Sequence, residues 1–474
     1  MIARIRSRHA APRLRIPRKG RIRVVLALVL VSVVAVAVGR LPARPKPALQ
    51  KKPDVRVAEI REQKKPKHSL WTGFSLVSLD KKFNETNVAL MLREHPPRLN
   101  GIDDTVIDGG RFAVHYSLDS ALQNLSQRLL QQYQPKYGAV VALEPQTGRV
   151  VALYSYSNPA EAPIPDLWRK SIFPAASIFK TITAAAAIDA GKLNTESCLD
   201  LAGRRHTLYR FQIAPKLSYA SEITLKEAYA HSVNPVFARI GMYLVGYREL
   251  QASARRFGFG AAVPFELEVD SSSVMSCDSA YDIAELASGF NKKTTLSPLL
   301  GALIAASVVE NGRMPRPTLV DSVSDLGDSR TVYRAVPMLW KIPIKETTAR
   351  QLRVMMCDVA EYGTARHSFR YIKRSARFDT LEYGGKTGSI DKENAGRVDW
   401  FIGFIRHRTD PRQQLAVGIV TVHGAYWTVH SSFIGEELMR VCIRAIQTGE
   451  KDREPIIVNA DSVDAAEGEA AGGG

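Results

Sequence analysis

Three short motifs, in a fixed order and at wide spacing, constrain this chain more than any other feature. They are Ser177-Ile178-Phe179-Lys180, Ser232-Val233-Asn234 and Lys386-Thr387-Gly388-Ser389, and the last two begin 55 and 209 residues after Ser177. Each motif is short enough to occur by chance, and Ser78-Leu79-Asp80-Lys81 is a second Ser-x-x-Lys in the chain. Together, the order and spacing predict a fold that brings a serine nucleophile and two lysines into one acyl-transfer site.

The sequence around Ser177 predicts the start of a buried helix. Pro174 suits a first helical turn, a mostly apolar run covers residues 178–190, and Gly191 suits the helix end. Ser177 would lie near the first turn, where free backbone N–H groups gather, and its own N–H could form half of an oxyanion hole. Lys180 would share the same helix face. Because lysine is rarely buried without a partner, we interpret it as functional rather than as a chance core residue.

The second motif follows a segment, residues 223–230, that reads as a short helix. Ser232 could relay a proton between the lysines and the leaving amine. The amide of Asn234 could bind a substrate carbonyl and also support Lys180. Taken alone, the motif is equally typical of a turn at a helix end, because Ser, Asn and Pro235 favour such places.

The third motif is the most specific of the three. Gly388 leaves room for a substrate backbone, and Lys386 adds positive charge that helps to keep Lys180 deprotonated. The hydroxyls of Thr387 and Ser389 could hold a substrate carboxylate, and the Ser389 N–H could complete the oxyanion hole. The alternative is a Gly-rich hairpin edge without catalytic meaning.

With these residues, the chain resembles the transpeptidase domain of penicillin-binding proteins, the serine acyltransferases that cross-link bacterial peptidoglycan. The resemblance covers roughly residues 112–447. Beyond the three motifs it rests on residues 116–123, 138–152, 257–260, 297–299, 311–312, 363–365 and 399–404. One departure is Pro174-Ala175-Ala176 before the nucleophile, where the family usually has Pro-Gly. No reacting group is lost, so the resemblance implies activity.

The implied fold is α+β, similar to penicillin-binding proteins and serine β-lactamases, with an antiparallel sheet of about five strands and a large helical insertion. We expect an N-terminal hairpin and three later strands, followed by a closing helix; the predicted ranges are 139–143, 150–154, 384–389, 400–405, 415–422 and 433–446. Asp410-Pro411-Arg412-Gln413 reads as a turn between the last two strands. The site would lie between the helical insertion, which carries the first two motifs, and the edge strand carrying Lys386.

The resemblance implies a peptidoglycan D,D-transpeptidase that reacts with stem peptides and is acylated by β-lactam antibiotics. Lys180, kept neutral by burial and by Lys386, would activate Ser177 to attack the penultimate D-Ala carbonyl. Which lysine takes the proton stays open. A D,D-carboxypeptidase would use the same groups with water as acceptor. A serine β-lactamase fits less well, since no Glu-x-x-x-Asn follows Ser232 at a suitable place. A non-catalytic penicillin-binding sensor is the remaining alternative.

The positive charge of the chain belongs to its N-terminal region. The net charge is +18, yet residues 1–68 hold 19 Lys and Arg against 3 Asp and Glu. Nucleic-acid binding by the folded part is therefore not expected. A basic arm followed by an apolar run predicts a signal anchor, with the N-terminus inside and the catalytic domain in the periplasm or outside. A cleaved signal peptide is the alternative, because Ala35-Val36-Ala37 resembles a cleavage site.

We divide the chain into five regions. They are a basic cytoplasmic arm (1–23), a transmembrane signal anchor of the inner membrane (24–41), a linker and short stub (42–110), the transpeptidase domain (111–449) and a disordered acidic tail (450–474). The stub is too short for the glycosyltransferase domain of bifunctional relatives, so a separate glycosyltransferase is a possible partner.

No metal or other cofactor is expected. A disulfide between Cys198 and Cys277 is weakly favoured, whereas Cys357 and Cys442 read as buried apolar residues.

Overall fold

The computed structural model describes residues 84–94, 102–107, 110–374, 380–392, 396–410 and 414–447. The predicted basic arm, membrane anchor and acidic tail lie outside these residues. So do most of the predicted linker and stub and the centre of the predicted turn at 410–413. Among the described residues, no helix is both long enough and apolar enough to cross a membrane.

The chain forms helices and strands in an α+β arrangement. The α-helices are α1 (Glu85–Glu94), α2 (Ser120–Tyr133), α3 (Phe179–Asp189), α4 (Leu225–Ala230), α5 (Asn234–Arg239), α6 (Tyr247–Arg256), α7 (Ala280–Ser288), α8 (Pro298–Val309), α9 (Glu346–Glu361), α10 (Arg370–Arg374) and α11 (Ser431–Gln447). The strands are β1 (Ile102–Ile107), β2 (Gly110–Tyr116), β3 (Tyr137–Leu143), β4 (Val150–Ser157), β5 (Phe173–Pro174), β6 (Cys198–Leu201), β7 (Ser221–Thr224), β8 (Thr295–Leu296), β9 (Met314–Pro315), β10 (Val320–Asp325), β11 (Thr331–Arg334), β12 (Leu339–Lys341), β13 (Leu381–Lys392), β14 (Gly396–His407) and β15 (Gln414–His423).

The main sheet has five antiparallel strands in the order β13-β14-β15-β3-β4. All five predicted strands are confirmed, and each is longer than the sequence indicated. Every residue of β15 is buried, which explains why its sequence is a nearly continuous apolar run rather than an alternation of apolar and polar residues.

Helices cover both faces of this sheet. The helix α8 is buried along its whole length and packs against β14, β15 and β3. It lies so close to β15 that a Cβ at Gly418 would stand 2.1 Å from the Pro298 carbonyl oxygen. The closing helix α11 packs against β14, β15 and α2. The sheet is therefore a rigid central layer, and β13 remains at its edge.

The predicted helical insertion is also confirmed. Helices α3 to α8 lie between β4 and β13 in the chain, and this region carries both the first and the second motif. The third motif lies in the middle of the edge strand β13, which contacts the nucleophile turn.

A second sheet has four strands in the order β1-β2-β10-β11, and apolar side chains of β2, β10 and β11 pack with those of α1. Its strands come from two distant parts of the chain, since β2 pairs with β10 through Val114 and Val323. The strand β1 lies in the predicted stub, and β2 leads into the predicted transpeptidase domain. The two strands pair directly, so they belong to one sheet.

Pro174 does not begin the helix that carries Lys180, so that part of the sequence prediction is wrong. Phe173 and Pro174 instead form the short strand β5, paired with β8. The indole Nε1 of Trp400 donates to the Pro174 carbonyl at 2.8 Å, which holds this segment extended. A 3₁₀ turn, Ala176–Ile178, follows, and α3 starts only at Phe179.

The expected disulfide between Cys198 and Cys277 is also wrong, because both of these thiols are free. Cys198 lies in β6, where it pairs with Thr224 of β7, while Cys277 packs against the main core. Cys442 is fully buried in α11 and Cys357 is partly buried in α9, as their apolar surroundings in the sequence indicated.

Candidate active site

The nucleophile candidate Ser177 occupies the tight turn before α3. The preceding residue, Ala176, has a φ of 49°, in the left-handed region that residues with a Cβ rarely adopt. Gly289 packs against this turn, so closely that a Cβ there would lie 1.9 Å from the Ala176 carbonyl oxygen. The turn is therefore held in a strained conformation by close backbone contact with the end of α7.

The side chain of Lys180 connects the first two motifs. It is fully buried, and its Nζ donates to Ser177 Oγ at 2.8 Å, to Asn234 Oδ1 at 2.7 Å and to the Ser288 carbonyl. All three acceptors lack a formal charge. Burial, and in addition the positive charge of Lys386, lower the pKa of Lys180 well below its ordinary value. A neutral Lys180 amine beside Ser177 Oγ is the arrangement that a general base requires.

Two backbone carbonyls set the orientation of Asn234. This residue begins α5, where its N–H donates to the Arg205 carbonyl at 2.7 Å and its Nδ2 donates to the His206 carbonyl at 3.0 Å. With both donors engaged, Oδ1 is directed at Lys180. The segment 203–206, which the sequence analysis did not single out, thus supports the second motif.

Lys386 is in contact with Ser232. It is fully buried, and its Nζ donates to Ser232 Oγ at 3.1 Å and to the Thr387 carbonyl at 2.8 Å. The Lys386 Nζ also lies over the ring of Tyr229, 5.5 Å from the ring centroid. Burial lowers the pKa of Lys386 to about 7. Ser232 has a φ of 55°, so the second motif also carries a left-handed residue.

The last three residues of the third motif line the edge of the site. A Cβ on Gly388 would lie 3.1 Å from the Ser177 nitrogen and 3.2 Å from the Ile178 nitrogen, so any side chain here would crowd the nucleophile turn. The Thr387 hydroxyl lies 2.6 Å from the Thr364 hydroxyl. Ser389 is exposed, and its backbone pairs with that of Asp399 on β14.

The structure therefore places Lys180 in contact with Ser177 and Asn234, and Lys386 in contact with Ser232. Gly388 packs against the Ser177 turn, and Thr387 and Ser389 flank it on β13. Sequence reasoning missed the carbonyls of Ser288, Arg205 and His206, because a backbone acceptor leaves no residue-type signal. It also missed the contact between the Tyr229 ring and the Lys386 amine. Thr364 lies in a family-like segment and could have been found by asking which hydroxyl faces Thr387.

Comparison with known proteins identifies the family. The Penicillin binding protein transpeptidase domain matches residues 138–439, which is more than half of the chain. The chain belongs to this family. The peptidoglycan D,D-transpeptidase PbpA of Mycobacterium tuberculosis is 26% identical over 377 residues, covering 70% of this chain and 74% of the relative. Stage V sporulation protein D of Bacillus subtilis is 24% identical over 310 residues, covering 61% of this chain and 46% of that protein.

Solved structures show the same fold. The crystal structure of PBPA from Mycobacterium tuberculosis has 25% sequence identity and a TM-score of 0.56, covering 70% of this chain and 80% of that one. The imipenem acyl-enzyme complex of penicillin-binding protein A from M. tuberculosis has 24% identity and a TM-score of 0.58. The match covers 70% of this chain and 79% of that one. The penicillin-binding transpeptidase fold, with its five-stranded antiparallel sheet, is thus confirmed.

The left-handed conformation of Ala176 gives a testable stability difference. In penicillin-binding proteins a glycine usually precedes the nucleophile, and here Ala176 takes that place. A left-handed residue with a Cβ costs about 1–2 kcal/mol, which glycine avoids. Ala175→Gly is the matched control, because Ala175 is equally buried but has a φ of −65°. We expect Ala176→Gly to be more stable than Ala175→Gly by about 1–2 kcal/mol in denaturant unfolding. Equal changes in the free energy of unfolding for the two variants would contradict the strain argument.

Burial of Lys386 should make stability depend on pH. Its pKa of about 7 lies below that of an exposed lysine, so between these values the unfolded chain binds more protons than the folded one. The destabilisation is fully present below about pH 7, falls as pH rises, and disappears above the unfolded pKa. Lys386→Met should therefore have a larger free energy of unfolding than the parent at pH 6, by an amount on the order of a few kcal/mol, as measured by denaturant unfolding. This advantage should shrink towards pH 10; a constant difference would contradict the prediction.

Proposed function

We propose that this protein is a serine D,D-transpeptidase that cross-links the stem peptides of peptidoglycan. The observation that carries the proposal is the 2.8 Å contact between Lys180 Nζ and Ser177 Oγ, with Lys180 held among uncharged acceptors. The similarity to PbpA, a peptidoglycan D,D-transpeptidase, supports the choice of substrate.

In the first half-reaction, Ser177 Oγ attacks the carbonyl of the penultimate D-Ala and passes its proton to the neutral amine of Lys180. The developing oxyanion is stabilised by the backbone N–H groups of Ser177 and Ser389. Asn234 binds a substrate carbonyl, and Thr387 and Ser389 hold the terminal carboxylate. Gly388 leaves space for the substrate backbone beside the nucleophile turn.

Collapse of the tetrahedral intermediate breaks the peptide bond to the terminal D-Ala. Ser232 Oγ accepts from Lys386 Nζ, so it can relay a proton from the lysines to the leaving amine, and an acyl ester remains on Ser177. In the second half-reaction an amine from a neighbouring stem attacks this ester. The acceptor nitrogen loses a proton, Ser177 Oγ regains one, and a new amide joins the two stems.

The same serine should react with β-lactams, which carry a reactive amide and a carboxylate. Acyl-enzyme complexes are known for penicillin-binding protein A from M. tuberculosis, among them one with imipenem. Attack by Ser177 would open the lactam ring. The leaving nitrogen stays attached to the acyl group, so the ester is expected to hydrolyse slowly.

Two measurements on the purified protein test the proposal. Labelled penicillin should acylate Ser177 and be released slowly, and disaccharide-pentapeptide should be converted to cross-linked dimer with loss of D-Ala. Monomeric tetrapeptide as the main product would instead identify a D,D-carboxypeptidase. Rapid release of penicillin would favour a β-lactamase, and acylation without any peptide turnover would favour a penicillin-binding sensor.

We further propose that residues 24–41 anchor the enzyme in the inner membrane, with the catalytic domain in the periplasm or outside, where a glycosyltransferase could supply strands. Nine Lys or Arg residues between Arg4 and Arg23 precede the apolar run, which supports this orientation. The protein should sediment with membranes and resist carbonate, and a variant lacking residues 1–40 should be soluble and still bind penicillin. A mature N-terminus near Val38 would instead indicate a cleaved signal peptide.

A further inference from the structure

One exposed segment near the second motif has an unusual composition. Residues 203–219, here called the arginine–aromatic segment, contain no Asp or Glu. The segment carries four exposed cations and three exposed aromatic rings, namely Arg204, Arg205, Arg210, Lys216, Tyr209, Phe211 and Tyr219. Within the described part of the chain, none of the four cations forms an ion pair. Exposed aromatic rings among unpaired cations are typical of a binding surface rather than of a merely solvated face.

The two central rings form a single platform. Tyr209 and Phe211 stack with their centroids 5.9 Å apart and their planes within 13° of each other. They are 57% and 63% exposed. Arg210 lies between them in the sequence, and Arg204 precedes them. An anionic ligand with a flat apolar face would satisfy both the charges and the rings.

The segment is held rigidly despite its exposure. Gln212 is fully buried; its Nε2 donates to the Ala202 carbonyl at 2.9 Å and the Arg204 carbonyl at 3.0 Å, while its Oε1 accepts from the Tyr209 N–H at 2.8 Å. In addition, Tyr281 donates its hydroxyl to the Leu208 carbonyl. A preformed surface loses little conformational entropy on binding, which favours recognition over a disordered role.

The same segment is joined to the catalytic groups. The carbonyls of Arg205 and His206 accept the hydrogen bonds that orient Asn234. The charges of Lys180 and Lys386 also reach His206 and, together with partial burial of the ring, lower its pKa. One end of the arginine–aromatic segment is therefore continuous with the catalytic cleft.

We propose that the arginine–aromatic segment is a second binding site, for a carboxylate-bearing, saccharide-linked part of the peptidoglycan strand remote from the reacting D-Ala end. This inference rests on the proposed function for the identity of the ligand. Arginine guanidinium groups pair with carboxylates, and the Tyr209–Phe211 platform packs against the C–H face of a sugar ring. An anionic membrane surface matches the charges as well, but it would not explain continuity with the cleft.

Direct binding tests the site independently of turnover. Soluble, un-cross-linked peptidoglycan strands would be titrated against full-length Ser177→Ala protein, so that the strands are not consumed by turnover. Adding Tyr209→Ser with Phe211→Ser should weaken strand binding about tenfold or more, since truncating an interface aromatic typically costs over 1 kcal/mol. Adding Arg204→Gln with Arg210→Gln should weaken binding and reduce its dependence on salt. The matched control is Ile342→Ser with Arg334→Gln, two exposed residues elsewhere on the protein.

Two further arms identify the ligand chemistry. Strands whose carboxylates have been amidated should bind the parent more weakly, and the arginine variants should not distinguish the two kinds of strand. Vesicles containing anionic lipid form the second arm. Loss of vesicle binding with unchanged strand binding would overturn the proposal in favour of a membrane surface. Strand binding that is unchanged in both variant pairs would also overturn it.

The ratio of strand cross-linking to penicillin acylation, measured with Ser177 intact, completes the test. Penicillin lacks the saccharide-linked part that the second site would bind, so the ratio should fall about tenfold in the aromatic variant. An equal fall in both rates would show that the segment acts only by supporting Asn234, and this would overturn the second site. A parent protein that binds strands but is not acylated would contradict the proposed function alone.

Discussion

Replacement of Ser177 by alanine is expected to abolish covalent labelling by penicillin and all peptide turnover. The change removes only Oγ, the atom that would carry the acyl ester. Removing a nucleophile typically lowers the rate by a factor on the order of 10⁴ or more. The fold should survive, because Lys180 keeps its hydrogen bonds to Asn234 and to the Ser288 carbonyl. Mass spectrometry of penicillin-treated protein measures the result directly.

The appropriate control for this variant is Ser232→Ala. Ser232 Oγ accepts from Lys386 and lies outside the contact with Lys180, so this variant should slow acylation without moving its site. Labelling that persists in Ser177→Ala, for example at Ser78 of the other Ser-x-x-Lys sequence, would falsify the assignment of the nucleophile.

The sequence predicted the reacting groups well because each needs a particular side chain. Ser177, Lys180 and Lys386 must be a hydroxyl and two amines, and Gly388 must lack a Cβ. The resemblance to the family also implied the large helical insertion. The five strands were predictable for a related reason, since strands buried on both faces read as apolar runs between turn signals.

What the sequence could not predict depends on backbone contacts between distant segments. Pro174 reads as a helix start, but pairing with β8 and the Trp400 indole hold it extended. The left-handed Ala176 has no signature of its own, because alanine normally avoids that conformation. The carbonyls that orient Asn234 belong to Arg205 and His206, whose side chains suggested no such role.

The arrangement of partners explains why the two lysines should respond differently to substitution. Lys180 has three uncharged acceptors and a second cation nearby, so its surroundings favour the neutral amine. Lys386 has a pKa of about 7, lowered by burial, and its contacts are with Ser232 and its own strand. The first lysine is therefore suited to accept a proton, and the second to hold charge or pass a proton through Ser232.

Lys180→Arg should consequently be almost inactive, whereas Lys386→Arg should retain measurable acylation. A guanidinium stays protonated at every accessible pH and cannot act as a base, but it still supplies positive charge. Because Arg at position 180 could disturb the buried site, Lys180→Met serves as a second variant without charge, and thermal unfolding checks that each protein is folded. The measurement is the second-order rate of acylation by labelled penicillin across pH. In the parent, this rate should rise with pH as Lys180 loses its proton. Normal acylation by folded Lys180→Arg or Lys180→Met would place the base elsewhere, and loss of the rate in Lys386→Arg alone would assign the proton transfer to Lys386.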